Sequence, residues 1–263
     1  MNGSARRQFI LDFLDEKEEV STDFLAKKLK VSRPTIYRDL IILEGEGYLK
    51  KTTNGAIKIN DFLIEKDGYF SVGLKVDLNE KKAVAKKALE FIKSGDTLII
   101  DAGSINYLVA REINKSSLTN MNIITSNVIT QLALVQHKDK YIRVFATGGL
   151  IKDGCASTAG DFSENLLNDL IADKVFLTTK GIDINGNLTE YDYGECVMKK
   201  RFIEKSKTKI LLTQSQKFGK VGIYHVSNIS DFDIIVTDQG INRQPEFLKL
   251  IKKMDKNLVI VRS

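Results

Sequence analysis

The sequence predicts a small domain of helices and a β-hairpin, followed by a larger α/β domain built on a mostly parallel sheet. Three observations carry this. Helical patterns and a hairpin signal fill the first 60 residues. From Thr97 onward, short β-branched runs alternate with amphipathic helical patterns, the arrangement of strand and crossover helix. At 263 residues the chain is also long for one domain. The expected boundaries are a first domain over 1–60, a connection over 61–79 and a second domain over 80–263.

Composition narrows the class. With 43% hydrophobic and 28% charged residues, the chain reads as an ordinary globular protein able to bury a full core. Its cysteines, Cys155 and Cys196, and its histidines, His137 and His225, are too few for a disulfide framework or a metal cluster. No catalytic residue, metal or cofactor is expected. No run of 18 apolar residues suggests a membrane span. Acidic residues interrupt the N-terminal apolar pattern by Asp12, so no signal peptide is expected and the cytoplasm is the simplest location.

The first helix is expected over Arg6–Leu14, where Phe9, Ile10, Phe13 and Leu14 form one stripe. Ser21 is a good N-cap for a second helix, with Val20 and Leu25 placed to close a hydrophobic staple. Lys30-Val31-Ser32 reads as a short turn. Ser32 then caps a third helix, with Pro34 in its first turn, where no intrahelical donor is lost. Ile36, Leu40 and Leu43 face the core, leaving Arg33, Thr35, Tyr37 and Arg38 outward, and Gly47 is expected to end the helix. Two helices joined by three residues, the second presenting Arg, Thr and Tyr near its start, match helix-turn-helix geometry. Tyr48–Ile59 then reads as a hairpin wing turning at Asn54-Gly55, with Lys50, Lys51 and Lys58 beside the phosphates of a duplex.

Charge agrees with this. Lys27, Lys28, Lys30, Arg33, Arg38, Lys50, Lys51 and Lys58 face only Asp39, Glu44 and Glu46 between residues 27 and 58. A basic side on a small domain is the footprint of a phosphate-backbone binder. Expected DNA contacts are Ser32, Arg33, Thr35, Tyr37, Arg38, Lys50 and Lys51. A plain three-helix protein-binding module is the alternative for this segment.

In the second domain a helix begins at Glu80, with Ala83, Val84, Ala88, Phe91 and Ile92 on one face. Strands are expected at Thr97–Ile100, Asn122–Thr125, Ile142–Phe145, Lys174–Leu177, Lys209–Leu212, Asp233–Val236 and Leu258–Val261. Helices are expected at Tyr107–Ile113, Val128–Gln136, Phe162–Ala172, Val197–Lys205 and Pro245–Met254. Ligands bind beyond the C-terminal ends of such strands. Three polar loops fall there: Asp101–Ser104, Thr125–Asn127 and Thr147–Gly149. Together they suggest an anion-accepting pocket, with Lys199 and Lys217 as point charges for a phosphate. Turn and cap duties explain the same loop residues equally simply.

These residues resemble the DeoR family of bacterial transcriptional regulators over nearly the whole chain. The marks are "ARRQFILDFL", "VSRPTIYRDLIILEGEGYLKK", "EKKAVAKKALEFIKSGDTLIIDAGS", "IITSN", "ADKVFL", "KGID", "GNLTE", "SQKFG" and "VTD". The resemblance implies a winged helix-turn-helix domain and an effector domain similar in fold to ribose-5-phosphate isomerase. It implies a regulator, taken as a repressor, of a sugar or polyol operon. Its partners would be an operator duplex and a phosphorylated sugar or polyol effector, and a homodimer or homotetramer is usual in the family. Position by position, Asp101, Gly103, Ser104, Thr125, Gly148, Gly149, Lys199 and Lys217 would line the effector pocket. Where the family has GTTT, this chain has Gly103-Ser104-Ile105-Asn106, losing two hydroxyls, and where the family has an acid it has Gln214. Two other readings stand beside this one. One is a constitutive DNA-binding protein whose second domain only oligomerises. The other is a sugar-phosphate isomerase using Asp183, Asp192 or Glu195.

Overall fold

The computed structural model describes residues 2–17, 19–45, 48–58, 73–74, 76–135, 140–152 and 156–262. Gly47, His137, Cys155 and most of the expected connection, residues 61–72 and 75, lie outside them. The chain divides into two compact units, Met1–Lys66 and Asp67–Ser263.

The first unit runs α1 (Gly3–Lys17), β1 (Glu19–Ser21), α2 (Thr22–Leu29), α3 (Arg33–Gly45), β2 (Leu49–Thr52) and β3 (Gly55–Lys58). Ser21 caps α2 by accepting from the Phe24 amide at 3.1 Å, and the staple residues Val20 and Leu25 are both buried. Lys30 ends α2 in the left-handed conformation (φ 52°), so three residues suffice to turn the chain into α3. Ile10, Leu14, Leu25, Ile36, Leu40, Leu43, Leu49 and Ala56 make the core.

The hairpin differs from the sequence expectation. Thr52 pairs with Gly55, so the turn is Thr53-Asn54, one residue earlier than Asn54-Gly55. The reason is a third strand that the sequence reading missed. Strand β1 pairs antiparallel with β3 and sets Ser21 opposite Gly55. A Cβ on Gly55 would lie 2.0 Å from the Val20 carbonyl oxygen. The glycine serves strand packing rather than the turn.

In the second unit, α4 (Leu78–Ala88) precedes a seven-stranded sheet. Its strands are β4 (Thr97–Ile100), β5 (Asn122–Thr125), β6 (Arg143–Ala146), β9 (Ala172–Leu177), β12 (Ser206–Leu212), β14 (Ile234–Asp238) and β15 (Asn257–Val261). Every neighbouring pair is parallel, in the order β15-β14-β12-β9-β4-β5-β6. All seven expected strands are present, several a few residues longer or shifted. Ile99, Ile124, Val175, Leu211 and Ile235 join one buried cluster, as continuous apolar runs require.

The crossover helices are α5 (Ser104–Lys115), α6 (Val128–Leu134), α7 (Asp161–Leu167), α8 (Tyr193–Glu204) and α9 (Pro245–Lys253). Helix α7 stops five residues short of the expected end, because Ala172 begins β9, where it pairs with Ser206 of β12. Two small antiparallel elements went unread. One is the hairpin β7 (Leu150–Ile151) with β8 (Thr158–Ala159). The other is a sheet of β10 (Gly181–Ile182), β11 (Asn187–Glu190) and β13 (Tyr224–Asn228). From β4 the sheet grows one way through β5 and β6, and from β9 the other way through β12, β14 and β15. The switch of direction falls between β4 and β9, where a crevice opens beyond the strand ends.

Gly55→Ala is expected to lower the stability of the first unit by about 1–3 kcal/mol through overpacking. Gly45→Ala, whose added Cβ meets nothing within 4 Å, is the control. Urea unfolding of both variants checks this.

Candidate nucleic-acid interface and ligand site

Helix α3 is held by a buried acid. Asp39, 2% exposed, accepts from the Arg6 Nε and, at 3.2 Å, from Arg6 Nη2, with Arg7 Nη1 3.5 Å away. The hydrogen bond to Asp39 raises the Arg6 pKa. Asp39 thereby faces inward and leaves the opposite side of α3 to Arg33, Tyr37 and Arg38, all exposed. Thr35 is half-buried, its hydroxyl 2.9 Å from that of Ser32. The Ser32 carbonyl starts the helix, accepting from the Thr35 and Ile36 amides. The Arg33 guanidinium meets Asp23 of α2 at 2.5 Å, which orients it.

The wing is joined to this face. The Lys51 ammonium lies 4.1 Å from the centroid of the Tyr37 ring, and the Lys51 amide donates to Glu44 at 2.8 Å. Lys50 projects into solvent. The seven residues expected at DNA therefore fall on α3, the turn before it and β2.

In the second unit, Asp101 and Thr178 follow β4 and β9 on either side of the switch. Asp101, 2% exposed, accepts from the Thr178 amide at 3.0 Å and hydroxyl at 3.1 Å, and from the Lys199 ammonium of α8. Lys199, 1% exposed, also donates to the Thr178 carbonyl at 3.0 Å and stands 3.5 Å from Glu190 of β11. Burial pushes the Asp101 and Glu190 carboxyls above their ordinary range, although the Lys199 charge pulls the other way. For Lys199, burial opposes the charge but the carboxylates of Asp101, Glu190 and Glu195 outweigh it, and its pKa is raised. The cluster keeps its proton on Lys199 and has no positive charge to spare for a ligand.

The surrounding loops are also tied down. Gly103 precedes α5 at φ 151°, and a Cβ there would lie 2.7 Å from the Thr178 hydroxyl. Ser104 opens α5, which has no side-chain cap. Asn106 is fully buried and donates to the carbonyls of Asp101 and Phe176, both at 2.9 Å. That buried amide tie occupies the place of a family hydroxyl. The Thr125 hydroxyl accepts from the Asn127 amide at 3.2 Å. Asn127 caps α6, its side chain accepting from the Thr130 amide at 2.8 Å, so the amide end of α6 is already served. Gly148 and Gly149 are exposed beside β7, and the Gly148 carbonyl accepts from Ser163. Asp101, Ala102, Ser126, Ser157, Thr158, Glu195 and Met198 line a narrow cavity between these loops.

Two further lysines of this unit, Lys217 and Lys81, have lowered pKa values. Lys217, half-buried in the turn Ser215–Lys217, has its pKa lowered by burial and by Lys180 and Lys220. Lys81 of α4 was not singled out in the sequence. It is 4% exposed, and burial together with the nearby Lys217 charge lowers its pKa to about 8. A signal existed: Lys81 shares the buried face of α4 with Val84, Ala85 and Ala88. Among the described residues, no group of three His, Cys, Asp or Glu could hold a metal ion, and no helix is long and apolar enough to cross a membrane.

Comparison with known proteins agrees with both halves. A family model described as "DeoR C terminal sensor domain" matches residues 76–239, and one described as "HTH domain" matches 6–57. The HTH-type transcriptional regulator YulB of Bacillus subtilis is 30% identical over 90% of this chain and 89% of its own length. The glycerol-3-phosphate regulon repressor of Escherichia coli is 28% identical over 90% of this chain and 92% of its own. The lactose phosphotransferase system repressor of Staphylococcus epidermidis is 28% identical over 91% and 94%. Among solved structures, ribose 5-phosphate isomerase A of Methanocaldococcus jannaschii is 18% identical with a TM-score of 0.40, covering 54% of this chain and 55% of that one. This chain thus spans about half the length of the isomerase.

Lys199→Met is expected to cost about 3–5 kcal/mol, because it strands two buried carboxylates. Adding Asp101→Asn and Glu190→Gln should recover part of the loss. Chemical denaturation of the single and triple variants checks both statements.

Proposed function

The chain belongs to the DeoR family of transcriptional regulators, and from that premise we propose that it represses a sugar or polyol operon and is released by a phosphorylated effector. The observation that carries the DNA half is the exposed row Arg33, Tyr37, Arg38 on a helix whose other face is anchored through Asp39. Arg38 would read base edges in the major groove, and Arg33, oriented by Asp23, would meet a phosphate or a base near the helix start. Lys50 and Lys51 would clamp the flanking phosphates, Lys51 resting on Tyr37. Two such units in a homodimer or homotetramer would span half-sites about one helical turn, roughly 34 Å, apart.

The effector half rests on the switch-point crevice and on what the relatives are called, a glycerol-3-phosphate regulon repressor and a lactose phosphotransferase system repressor. The uncapped start of α5, with Ser104, would receive the phosphate or sugar hydroxyls together with Lys217. Asp101 and Lys199 would shape the pocket as a neutralised pair rather than bind through free charge. The phosphate's counter-charge would then come from Lys217 and its neighbours. The same pairing gives some support to the constitutive reading, in which the second domain only oligomerises.

We do not read the protein as an isomerase. Asp183 is fastened into the β10–β11 turn by the Asn185 and Asn187 amides, each at 2.8 Å. Asp192 caps α8 and pairs with Lys152, and Glu195 accepts from Ser157. Each candidate base has a structural partner. No metal or cofactor is called for, and the cytoplasm, where the operator lies, is the working compartment.

Arg38→Ala is expected to weaken binding to an operator selected from random duplexes by about 1–3 kcal/mol and to relax preference at one base position. Lys50→Ala should weaken all sequences alike and reduce the salt slope by about one. Fluorescence anisotropy at several salt concentrations separates the two, and unchanged affinity of Arg38→Ala would remove α3 from the interface.

A further inference from the structure

The outward face of α3 carries more than its cations. Ile36, Asp39, Leu40 and Leu43 are buried, while Tyr37, Arg38, Ile41 and Ile42 are exposed. Ile41 is 45% exposed and Ile42 41%. At 3.6 residues per turn these two stand about 60° to one side and about 40° to the other of Arg38, about 5 Å further along the helix axis. Gly45, the last residue of α3, follows on the same face and adds no side chain. The row Arg38, Ile41, Ile42, Gly45 has the spacing i, i+3, i+4, i+7, at which a homeodomain helix reads bases along the major groove.

Two isoleucines on the solvent side of a helix do not favour the helix itself. β-branched residues are weaker helix formers than straight-chain ones, and here much of their apolar surface stays in water. Their stiffness gives them a use, because a fixed χ1 presents methyl groups in one place. Both acids of α3 are engaged elsewhere: Asp39 accepts from Arg6, and the Glu44 carboxylate accepts from the Lys51 amide at 2.8 Å. The isoleucine surface is continuous with Arg38 and lies on the same helix as Tyr37, whose ring meets Lys51 of the wing.

We propose that Ile41 and Ile42 are specificity residues of the DNA interface and pack on thymine methyl groups. This rests on the DNA reading above and adds to it the base pairs beside the one met by Arg38. The C5 methyl of thymine is the apolar group that a base pair offers in the major groove. An isoleucine against it removes apolar surface of both partners from water. Against cytosine the same isoleucine would cover an N4 amino donor that it cannot satisfy. The offset of about 5 Å from Arg38 equals one or two base-pair steps of about 3.4 Å. The half-site accordingly holds a thymine within two base pairs of the Arg38 contact, selected by its methyl rather than by a hydrogen bond.

The probe is a duplex selected from a random pool by the full-length protein. Each thymine in turn is replaced by deoxyuridine, which deletes the methyl and keeps every hydrogen-bonding group. Fluorescence anisotropy is expected to show wild-type affinity falling about fourfold for each contacted methyl. The sensitive thymines are expected beside the position whose preference Arg38→Ala relaxes. The double variant Ile41→Ala, Ile42→Ala is expected to bind the thymine and deoxyuridine duplexes alike; alanine at exposed helical positions keeps the fold. A wild type indifferent to deoxyuridine at every thymine overturns the inference alone, needs no variant, and leaves the DNA reading intact if Arg38→Ala still loses its base preference. Methyl sensitivity that persists in the double variant, with light scattering showing a changed oligomeric state, overturns it in favour of a contact between copies. Arg38→Ala with unaltered affinity and preference overturns the placement of α3 and this inference together.

Discussion

The buried pair of Asp101 and Lys199 is the constraint on which the second unit depends. It joins four elements: the end of β4, the segment after β9, strand β11 through Glu190, and helix α8. A charge taken out of water must be paired and hydrogen-bonded, and here every partner is supplied by a strand end or a helix face. That requirement fixes where α8 lies across the sheet and how closely the β4 loop approaches Thr178, which is why Gly103 follows. The pair closes the base of the crevice at the sheet's switch point. It also settles which charges are spent and which remain.

The first unit uses the same device on a smaller scale. Asp39 is buried on α3 and held by Arg6 and Arg7 of α1, so the rotation of the reading helix is set by a polar contact as well as by Ile36, Leu40 and Leu43. In both units a residue pattern that looks functional divides into an inner, neutralised part and an outer part with charge left over. For the proposed DNA contacts the outer part is Arg38 and Lys50, with Arg33 paired to Asp23 and Lys51 3.9 Å from Glu44. For the proposed effector site it is Lys217. Fixed inner pairs give the outer cations a defined geometry, and a defined geometry is what distinguishes one base sequence or one phosphosugar from another.

Much of this was legible in the sequence because it is local. The seven strands of the large sheet are continuous apolar runs, and strands buried on both faces leave that mark. The turn Lys30–Ser32 and the Ser21 cap are also short-range. What escaped is what depends on distant partners. Strand β1 is three residues long and exists because β3 lies beside it. Gly55 looked like a turn residue because its real constraint, Val20, is 35 positions away. The strands of the β10-β11-β13 sheet are too short and polar to show alternation. Asp101 and Lys199 were each read as ligand contacts, yet 98 residues of chain hide that they bind each other. Lys81 was part of a quoted motif but unremarked, although a lysine on the apolar face of a helix has to find acceptors somewhere.

The central claim is that the second unit senses a phosphorylated sugar or polyol. The most direct measurement is the melting temperature of the full-length protein against a panel of such phosphates, each paired with its unphosphorylated parent and with inorganic phosphate. The account predicts that one phosphorylated compound raises the midpoint well beyond inorganic phosphate while its parent does not, since a ligand bound only to the native state stabilises it. A panel in which no phosphorylated compound exceeds inorganic phosphate would contradict the account and favour a constitutive DNA-binding oligomer.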